Sequence, residues 1–564
     1  STEGSISSKN SLHAPGVLHA ADRNPIRLYG LGGDISGLTL FAAKASRLIA
    51  QRDISDVGLY LQNTAPSDIS LVSAGRDLIA FNESAGLRSL ATNSEQGNLL
   101  TNANKLNVLG GSTNANSGDI QINGPGVLEV LAGGKVDLGT GANFNDGTGV
   151  GITSIGNLRN PNLPAGGADL IVMAGVGGAT AGTPAMGLSL SSLDIEGFTT
   201  QYQSTALTAE SAYLQKPGAA AVEDLTEEQK AIMALEVFFD VLKKSGRDAA
   251  TTGSYAEGYA AISALYGNAA TTGAEILGRS RDFRSSSGGA ISIAAPGGGV
   301  TMASQTFGNP LAPPGIVTES GGSVSIFTND SVSLGQSRIF TLRGGNITIW
   351  SSAGDIAAGS AAKTVVSAPP TRVLIDSNSA DVKTDLAGLA TGGGIGVLAT
   401  VAGVPSGDVD LIAPVGAVDA GDAGIRSSGN LTIAAAQVLN ASNIAVAGTS
   451  AGTPAAAPAA PAVSTPAPAP PPPPNKNQAA DAAQANNASQ QQAAVTEAPA
   501  SEVTVEVLGY GGSEGTPTTE DESNLDDEEK KRRRQQQEDA QRKEAEAQSS
   551  GSAAPAGAQT ESPP

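Results

Sequence analysis

Short segments that alternate apolar and polar residues recur along much of the chain. Each segment follows glycine and one small polar residue, as in Gly-Gly-Asp-Ile-Ser from Gly32, Gly-Gly-Ser-Val-Ser-Ile-Phe from Gly321 and Gly-Asp-Val-Asp-Leu-Ile from Gly407. Alternation with a period of two predicts a β-strand with one apolar face. A strand this short cannot bury that face alone, so neighbouring repeats must stack. The pattern therefore predicts a β-solenoid.

The spacing of the segments predicts the size of one coil. Val324 lies 23 positions before Ile347, and Ile347 lies nine positions before Ile356, which indicates a coil of about twenty residues with two or three strands. At about 4.8 Å per coil, on the order of twenty coils would form a rod of about 90 Å. In-register stacking would also align Asn and Asp side chains into ladders at the turns. The alternative is an array of β-sandwiches, which also uses short strands between turns.

The composition supports a narrow stack. The chain has 71 glycines in 564 residues and only 3% aromatic residues. A core of Ile, Val, Leu and Ala suits closely spaced coils, and we expect the glycines to supply positive φ angles at the coil corners.

An α-helical hairpin is predicted to interrupt the β pattern between residues 219 and 284. Thr226 and Gln229 form a capping box sequence, and apolar residues at helical spacing follow it. Gly246 is expected to end this first helix. A second helix with a tyrosine-rich stripe is expected to end at Gly267.

The hairpin and the segment after it contain the candidate interaction residues. The aromatic side chains are typical interface anchors, and the cationic ones could bind carboxylates or sulfates of a glycan. Alternatively, the aromatic residues form the hairpin's own core and the arginines belong to a solvated return loop. The candidates are Phe238, Phe239, Tyr255, Tyr259, Arg279, Arg281 and Arg284.

Four regions are predicted along the chain. Residues 1–218 and 285–447 form the two parts of the β-helix, residues 219–284 form the hairpin, and residues 448–564 form a disordered tail rich in Pro, Ala and Gln. Within the tail, Val503 to Tyr510 alternates and could add as a strand to a sheet edge, or fluctuate in isolation.

Charge and residue types argue against several functional classes. A net charge of -21 argues against nucleic acid as a partner. The chain has no cysteine and no apolar run long enough to cross a bilayer. His13 and His19 are the only histidines, and no phosphate-binding or metal-binding motif accompanies them. We therefore predict no catalytic residue, no cofactor and no metal. A carbohydrate-active β-helix enzyme is the alternative from another class.

Three segments resemble filamentous haemagglutinin-type exoproteins, in their C-terminal portion. They are Gly32 to Asn82, Gly407 to Asn440 and the helical insert from Gln229 to Tyr266. The resemblance implies a right-handed parallel β-helix that two-partner secretion exports from a Gram-negative bacterium through an outer-membrane transporter. It further implies roles in adhesion, aggregation and biofilm.

One family motif lies at an unexpected place. Asn160-Pro161-Asn162-Leu163 matches a motif of the family's N-terminal secretion domain but lies mid-chain, so we interpret it as a turn and expect the secretion domain upstream. We predict a non-enzymatic, secreted or surface-displayed adhesin that binds host or bacterial surface glycans or proteins. The alternative within this architecture is a self-associating filament subunit.

Overall fold

The computed structural model of the chain describes most of the predicted solenoid and its helices. The described residues are 17–82, 118–139, 149–158, 160–176, 193, 195–214, 224–267, 273–302, 313–360, 392–399, 403–453 and five further short strands given below. The chain divides into two compact units, residues 1–375 with 382–506, and residues 376–381 with 507–564. The coils and helices described here lie in the first unit.

Three short parallel strands make one coil, and equivalent strands of successive coils pair in register to form three faces. The first face consists of β1 Ile26–Gly30, β4 Ser46–Ala50, β7 Ile69–Ala74, β12 Val127–Ala132, β15 Asp169–Ala174, β18 Ile291–Ala295, β21 Val324–Thr328, β24 Ile347–Ser351, β29 Val409–Asp419, β31 Leu431–Leu439 and β33 Ser450–Ala451. The second face consists of β2 Ile35–Ser36, β5 Ile54–Ser55, β8 Leu78–Ile79, β13 Val136–Asp137, β16 Ile276–Arg279, β19 Val300–Met302, β22 Val332–Ser333, β25 Ile356–Ala357 and the C-terminal parts of β29 and β31.

The third face is a separate sheet with one strand from each coil. It consists of β3 Thr39–Phe41, β6 Gly58–Gln62, β11 Ile120–Asn123, β14 Gly149–Ser154, β17 Arg281–Ser285, β20 Gly315–Thr318, β23 Arg338–Thr341, β28 Gly394–Val397, β30 Ile425–Ser427 and β32 Ile444–Val446. Five further strands are β9 Leu106–Asn107, β10 Asn114–Ala115, β26 Arg372–Asp376, β27 Val382–Asp385 and β34 Val505–Leu508. β9 pairs with β10 and β26 pairs with β27, both antiparallel.

The parallel β-helix predicted from the sequence is confirmed, and so is the coil of about twenty residues. Ile26 pairs with Ser46, and Val324 pairs with Ile347 in the next coil. Ile347 and Ile356 lie in β24 and β25 of the same coil, as their short separation indicated.

The predicted number of coils was wrong. The described part of the third face has ten strands, one per coil, which corresponds to a stack of about 45 Å rather than about 90 Å. The reason is that three insertions leave the stack and return to it in register. They separate β8 from β11, β15 from β16 and β25 from β28. Residues in these insertions do not form coils of the solenoid and therefore do not lengthen the stack.

The interior of the coils is a column of aliphatic side chains. Ile293, Ile326, Ile349 and Leu411 stack in successive coils and are all fully buried. Every second residue of each strand points into this column, so the short alternating segments form one continuous core.

The polar residue after each glycine forms the predicted ladder at the corner before the first face. Asn346 Oδ1 accepts a hydrogen bond from the backbone N–H of Asp408 at 2.9 Å. Asp408 Oδ1 accepts from the N–H of Asn430 at 2.9 Å, and Asn430 Oδ1 accepts from the N–H of Thr449 at 3.0 Å. Each side chain therefore satisfies a backbone donor of the next coil, which aligns the two coils.

The glycines at the same corner are required by close approach as well as by φ. A Cβ at Gly322 would lie 2.0 Å from the carbonyl oxygen of Gly289, and one at Gly407 would lie 2.0 Å from that of Gly345. Gly345 also has a φ of 87°, whereas Gly322 and Gly407 do not have positive φ. Positive φ thus explains only some of these glycines. The others are required because the adjacent coil occupies the space of a side chain.

Four α-helices are described between β15 and β16, and together they form a layer on the outer side of the first face. They are α1 Ile195–Gln201, α2 Gln203–Leu214, α3 Glu227–Thr252 and α4 Ala256–Tyr266. The two helices of the predicted hairpin correspond to α3 and α4, and α1 and α2 lie upstream of residue 219. Outward side chains of the first face pack against this layer, including Met173, Phe327, Trp350 and Ile412. For this reason strands such as β24 are buried on both sides.

The ends of α3 and α4 follow local capping chemistry. Thr226 and Gln229 form the predicted capping box. The prediction that Gly246 ends the helix was wrong, since α3 continues to Thr252 and Gly253 caps it with a φ of 65°. Close packing requires a glycine at this position inside the helix, because a Cβ there would lie 2.3 Å from Cγ1 of Ile412 on the solenoid. Gly267 caps α4 as predicted.

The predicted tail lies almost entirely outside the described residues. Of the alternating segment from Val503 to Tyr510, only the strand β34 is described. The predicted disorder of the tail remains a prediction.

Candidate interaction site

The aromatic residues of the hairpin lie between the helices and the solenoid. Phe238 of α3 is fully buried. Its ring centroid lies 5.3 Å from those of Tyr266 and Phe327 and 6.3 Å from that of Phe198. Phe239 is also buried, 5.4 Å from Phe238. Edge-to-face packing of this kind joins α1, α3, α4 and β21 into one apolar cluster.

The two candidate tyrosines pack on the single tryptophan of the chain. Tyr255 and Tyr259 have their ring centroids 6.0 and 5.7 Å from that of Trp350. The Tyr259 hydroxyl donates a hydrogen bond to the carbonyl oxygen of Ser352 at 2.8 Å. Tyr259 is 39% exposed, more than the other three aromatic candidates. Partner binding by these residues remains a prediction, and Tyr259 is the most exposed of the four.

The three candidate arginines lie in strands rather than in a loop, and each pairs with carboxylates. Arg279 in β16 contacts Asp137 at 3.0 Å. Arg281 in β17 is fully buried and contacts Asp119 at 3.1 Å. Arg279 therefore joins two neighbouring coils, and Arg281 in β17 reaches past β14 to the residue before β11, two coils away.

Arg284, also in β17, forms one ion pair within its own strand and one with the residue that follows β20 in the next coil. It contacts Asp282 at 2.7 Å and Glu319 at 3.2 Å. Arg279 lies on the second face, and Arg281 and Arg284 lie on the third, so the structure does not bring the arginines together with the aromatic candidates. Glycan binding by the arginines remains a prediction.

Two ion pairs of opposite polarity attach α3 to the solenoid. Near its N-terminus, Glu228 accepts two hydrogen bonds of 2.9 Å from Arg47 of β4. Near its C-terminus, Arg247 donates to Asp410 of β29 at 2.6 and 2.8 Å. The 19-residue separation of Glu228 and Arg247 corresponds to about 29 Å of helix, comparable with the about 34 Å of seven coil steps between β4 and β29.

A buried carboxyl group lies under the N-terminal half of this layer. Glu129 points outward from β12, is fully buried, and neither of its carboxyl oxygens has a hydrogen-bond partner among the described residues. Burial raises the pKa of Glu129 well above its usual value. The nearby Glu228 raises it further, and Arg47 lowers it. Glu129 is therefore held in its neutral form at pH values where exposed glutamates are ionised.

An elongated groove runs between α3 and one corner of the solenoid. This corner groove has a volume of about 510 Å³, within the range typical of ligand sites. Its solenoid wall comes from the corners of five successive coils. Its side chains are mainly small or aliphatic, with a few polar groups. The side chains on which its chemistry depends are Ile69, Val127, Met233, Asp169, Glu236 and Ser323.

A second cavity of about 610 Å³ lies among α1, α2 and α3. Leu207, which is 56% exposed, and Met233 contribute apolar surface, and Glu196 and Glu210 line it. Met233 lines both cavities, so the N-terminal half of α3 has open space on two sides.

No group of three or more His, Cys, Asp or Glu side chains that could hold a metal ion occurs in the described part of the chain. His19 is exposed in a turn, and His13 lies outside the described residues. None of the described helices is both long and apolar enough to span a membrane.

Sequence reasoning missed the groove, both ion pairs and Glu129. Arg47 and Glu228 are 181 positions apart, and no local pattern relates them. Glu129 did carry a signal, since it is the only charged residue in Val-Leu-Glu-Val-Leu-Ala of β12. A single charged residue in an otherwise apolar strand indicates that another element covers the outer side of the strand and buries the charged group.

Comparison with known proteins gives one match. Residues 344–455 match a family described as filamentous haemagglutinin family outer membrane protein. These residues contain the last coils, from β24 to β33. Searches of curated proteins and of solved structures found no match. The chain is thus similar in this segment to an adhesin-type family whose description places it at the outer membrane.

Proposed function

We propose that the chain is a secreted or cell-surface adhesin of a Gram-negative bacterium that attaches cells to other cells or to surfaces, and contributes to biofilm. The match of residues 344–455 to the filamentous haemagglutinin family is the observation that carries this proposal. The fold supports it, because stacked coils with polar corner ladders form a stiff, extended surface. Such a surface can offer many weak contacts whose combined avidity is high.

Export and partner choice follow from the same similarity. An outer-membrane transporter of the two-partner secretion type would export the chain, and surface glycans or proteins would be its ligands. The mechanism is non-enzymatic, and the solenoid acts by presenting contacts.

Attachment can be tested with the purified chain coated on fluorescent beads. We expect the beads to bind host epithelial cells or bacterial cells in a saturable way, and soluble chain to compete. Beads coated with an unrelated acidic protein of similar net charge control for electrostatic effects. Binding no higher than that control on every cell type would contradict the adhesin proposal.

The filament subunit is a second candidate, favoured by the ends of the described stack. β1, β2 and β3 each pair with one neighbouring strand only among the described residues, and unpaired edges can recruit another chain. Negative-stain electron microscopy over a range of concentrations separates the two. Isolated short rods support the adhesin, whereas long uniform fibres without added ligand support the filament.

A further inference from the structure

Two carboxyl groups of the first face lie in one column of outward side chains under α3. In the strand register, Leu71 of β7 lies beside both Arg47 and Glu129. Glu129 in turn lies beside Ile171, and the column continues through β18, β21 and β24 to Asp410 of β29. Glu129 and Asp410 are both fully buried. The two groups therefore occupy equivalent places near opposite ends of the contact between α3 and the solenoid.

Of the two carboxyl groups, Asp410 has a cationic partner and Glu129 has none among the described residues. Arg247 of α3 donates to both oxygens of Asp410, at 2.6 and 2.8 Å. Glu129 accepts no hydrogen bond from any residue that the structure describes. Arg47, two coil steps away in the same column, donates both of its terminal nitrogens to Glu228 of α3 instead. A buried carboxyl group without a partner is much less costly when neutral than when ionised.

The charges that act on Glu129 come from α3 and β4. Burial raises the pKa of Glu129 most, Glu228 raises it further, and Arg47 lowers it. The neighbouring strands β7 and β15 place apolar side chains beside it. Asp169 and Glu236 also line the corner groove, and both have interactions of their own. Glu129 therefore keeps its proton below its folded-state pKa and loses it as the pH rises through that value.

Ionisation of Glu129 weakens the ion pair that attaches the start of α3. The new charge repels the carboxylate of Glu228 and competes with it for the guanidinium of Arg47. Cavities of about 510 and 610 Å³ on the two sides of Met233 leave space into which the first turns can move. At the other end of the helix, Gly246 packs directly on the solenoid. Movement is therefore confined to the first turns.

The start of α3 thus has the parts of a pH-dependent switch. We propose that neutral Glu129 allows the first turns of α3 to lie on the solenoid, and that its ionisation releases these turns while the last turns stay in place. Gln229, Ile232 and Met233 of the first turns belong to the helix wall of the corner groove. Release therefore widens the groove as the pH rises, and protonation restores it. This inference goes beyond the proposed adhesin function and does not depend on what the chain binds.

Thiol labelling of the full chain tests the switch, because the chain has no cysteine of its own. Ala231→Cys places a thiol in the first turns of α3, and Ala249→Cys places one near its end. The two alanines are 1% and 7% exposed. Each variant is reacted with dithiodipyridine from about pH 5 to about pH 9. We expect the labelling rate at position 231, divided by that at position 249, to rise by up to about tenfold per pH unit above the folded-state pKa of Glu129.

Two further substitutions separate Glu129 from the general effect of pH on thiols. With Glu129→Gln in both cysteine variants, the rate ratio should stay constant, because glutamine does not ionise. Glu236→Gln neutralises another carboxylate of α3 and should leave the rise intact. The proposal is overturned if the ratio is constant with Glu129 present, if it rises equally in E129Q, or if E236Q abolishes the rise. An equal rise in rate at both positions, absent in E129Q, would show that the whole helix detaches and would also contradict it.

Hydrogen exchange on the chain without added cysteines covers the case in which a cysteine variant does not fold. Exchange rates corrected for their intrinsic pH dependence give the protection of the first and last turns of α3, in the wild type and in Glu129→Gln. We expect protection of the first turns to fall with rising pH in the wild type only, and that of the last turns to stay constant in both. Equal protection of the first turns in the two proteins at every pH would overturn the proposal.

Discussion

The two halves of α3 contact the solenoid in different ways. In the C-terminal half, Gly246 lies directly on Ile412, and a Cβ at Gly258 of α4 would lie 2.4 Å from Trp350. In the N-terminal half, cavities lie on both sides of Met233, and Glu129 is buried with no hydrogen-bond partner among the residues that the structure describes. The close-packed half fixes the helix on the solenoid, and the other half leaves open space beside it. The two parts of one helix thus differ in how closely they pack.

The largest expected effect is on the close-packed cluster. Phe238→Ala should lower the free energy of unfolding by about 3–5 kcal/mol, because it leaves a cavity among four other rings. Ile232→Ala, at the half-exposed wall of the groove, should cost about 1 kcal/mol. Urea unfolding followed by the fluorescence of Trp350 measures both losses. Equal losses would show that α3 is packed as closely at Ile232 as at Phe238.

The second-largest loss of stability is expected when the ion pair between Arg247 and Asp410, near the C-terminus of α3, is broken. Arg247→Ala leaves the fully buried Asp410 without its guanidinium partner, and we expect a loss of about 2 kcal/mol. The double variant R247A/D410N should recover part of it, since it removes the uncompensated charge. The corresponding Arg47→Ala should cost less, because Glu228 lies in the first turn of α3 where the helix dipole favours a negative charge. A larger loss for Arg47→Ala than for Arg247→Ala would show that the N-terminal ion pair of α3 contributes more to stability than the C-terminal one.

The pH dependence of stability should report on Glu129, which is buried under the N-terminal half of α3. The raised pKa of Glu129 means that this group binds more protons in the folded than in the unfolded state. Its contribution to stability is therefore complete below the unfolded pKa of about 4.3 and is lost as pH rises toward the folded-state pKa. We expect Glu129→Gln to melt a few degrees above wild type at about pH 8 and near wild type at about pH 4. A constant difference across this range would exclude ionisation of Glu129 as the cause.

The smallest effect is expected at the start of α3. Thr226→Ala removes the side-chain acceptor of the capping box and should cost about 1 kcal/mol. Hydrogen exchange should show faster opening of the first turn of α3, while the last turn keeps its protection. Thr252→Ala serves as the control at the other end. Faster exchange along the whole helix would mean that the two halves open as one unit.

Much of the fold could be predicted because its determinants are local. The alternation in Val-Ser-Ile-Phe of β21 indicates a strand with one face in the core, and its recurrence indicates a stack. Thr226 and Gln229 indicate the start of a helix within four residues. These patterns depend on hydrogen bonds and side-chain directions set by adjacent positions, so reading them requires no knowledge of distant contacts.

The number of coils and the extent of α3 could not be read in this way. Gly246 has the chemistry of a helix end, yet α3 continues past it to Thr252, and glycine is required there because Ile412 occupies the space of a side chain. The insertions carry strands and helices of their own, and only pairing across them, such as that of Ile347 with Val409, shows which segments belong to the stack.

The amino-acid sequence by itself determined that short strands stack, that glycine and a small polar residue form each corner, and that two capped helices interrupt the repeat. Tertiary structure alone decided which side of the solenoid those helices cover. That contact buries Phe238 and Glu129, pairs Arg47 with Glu228, and places α3 alongside five coil corners to form the groove. The physical reason is distance along the chain. Local hydrogen bonding and side-chain periodicity act between neighbours, whereas burial and ion pairing depend on which remote residues the folded chain brings together.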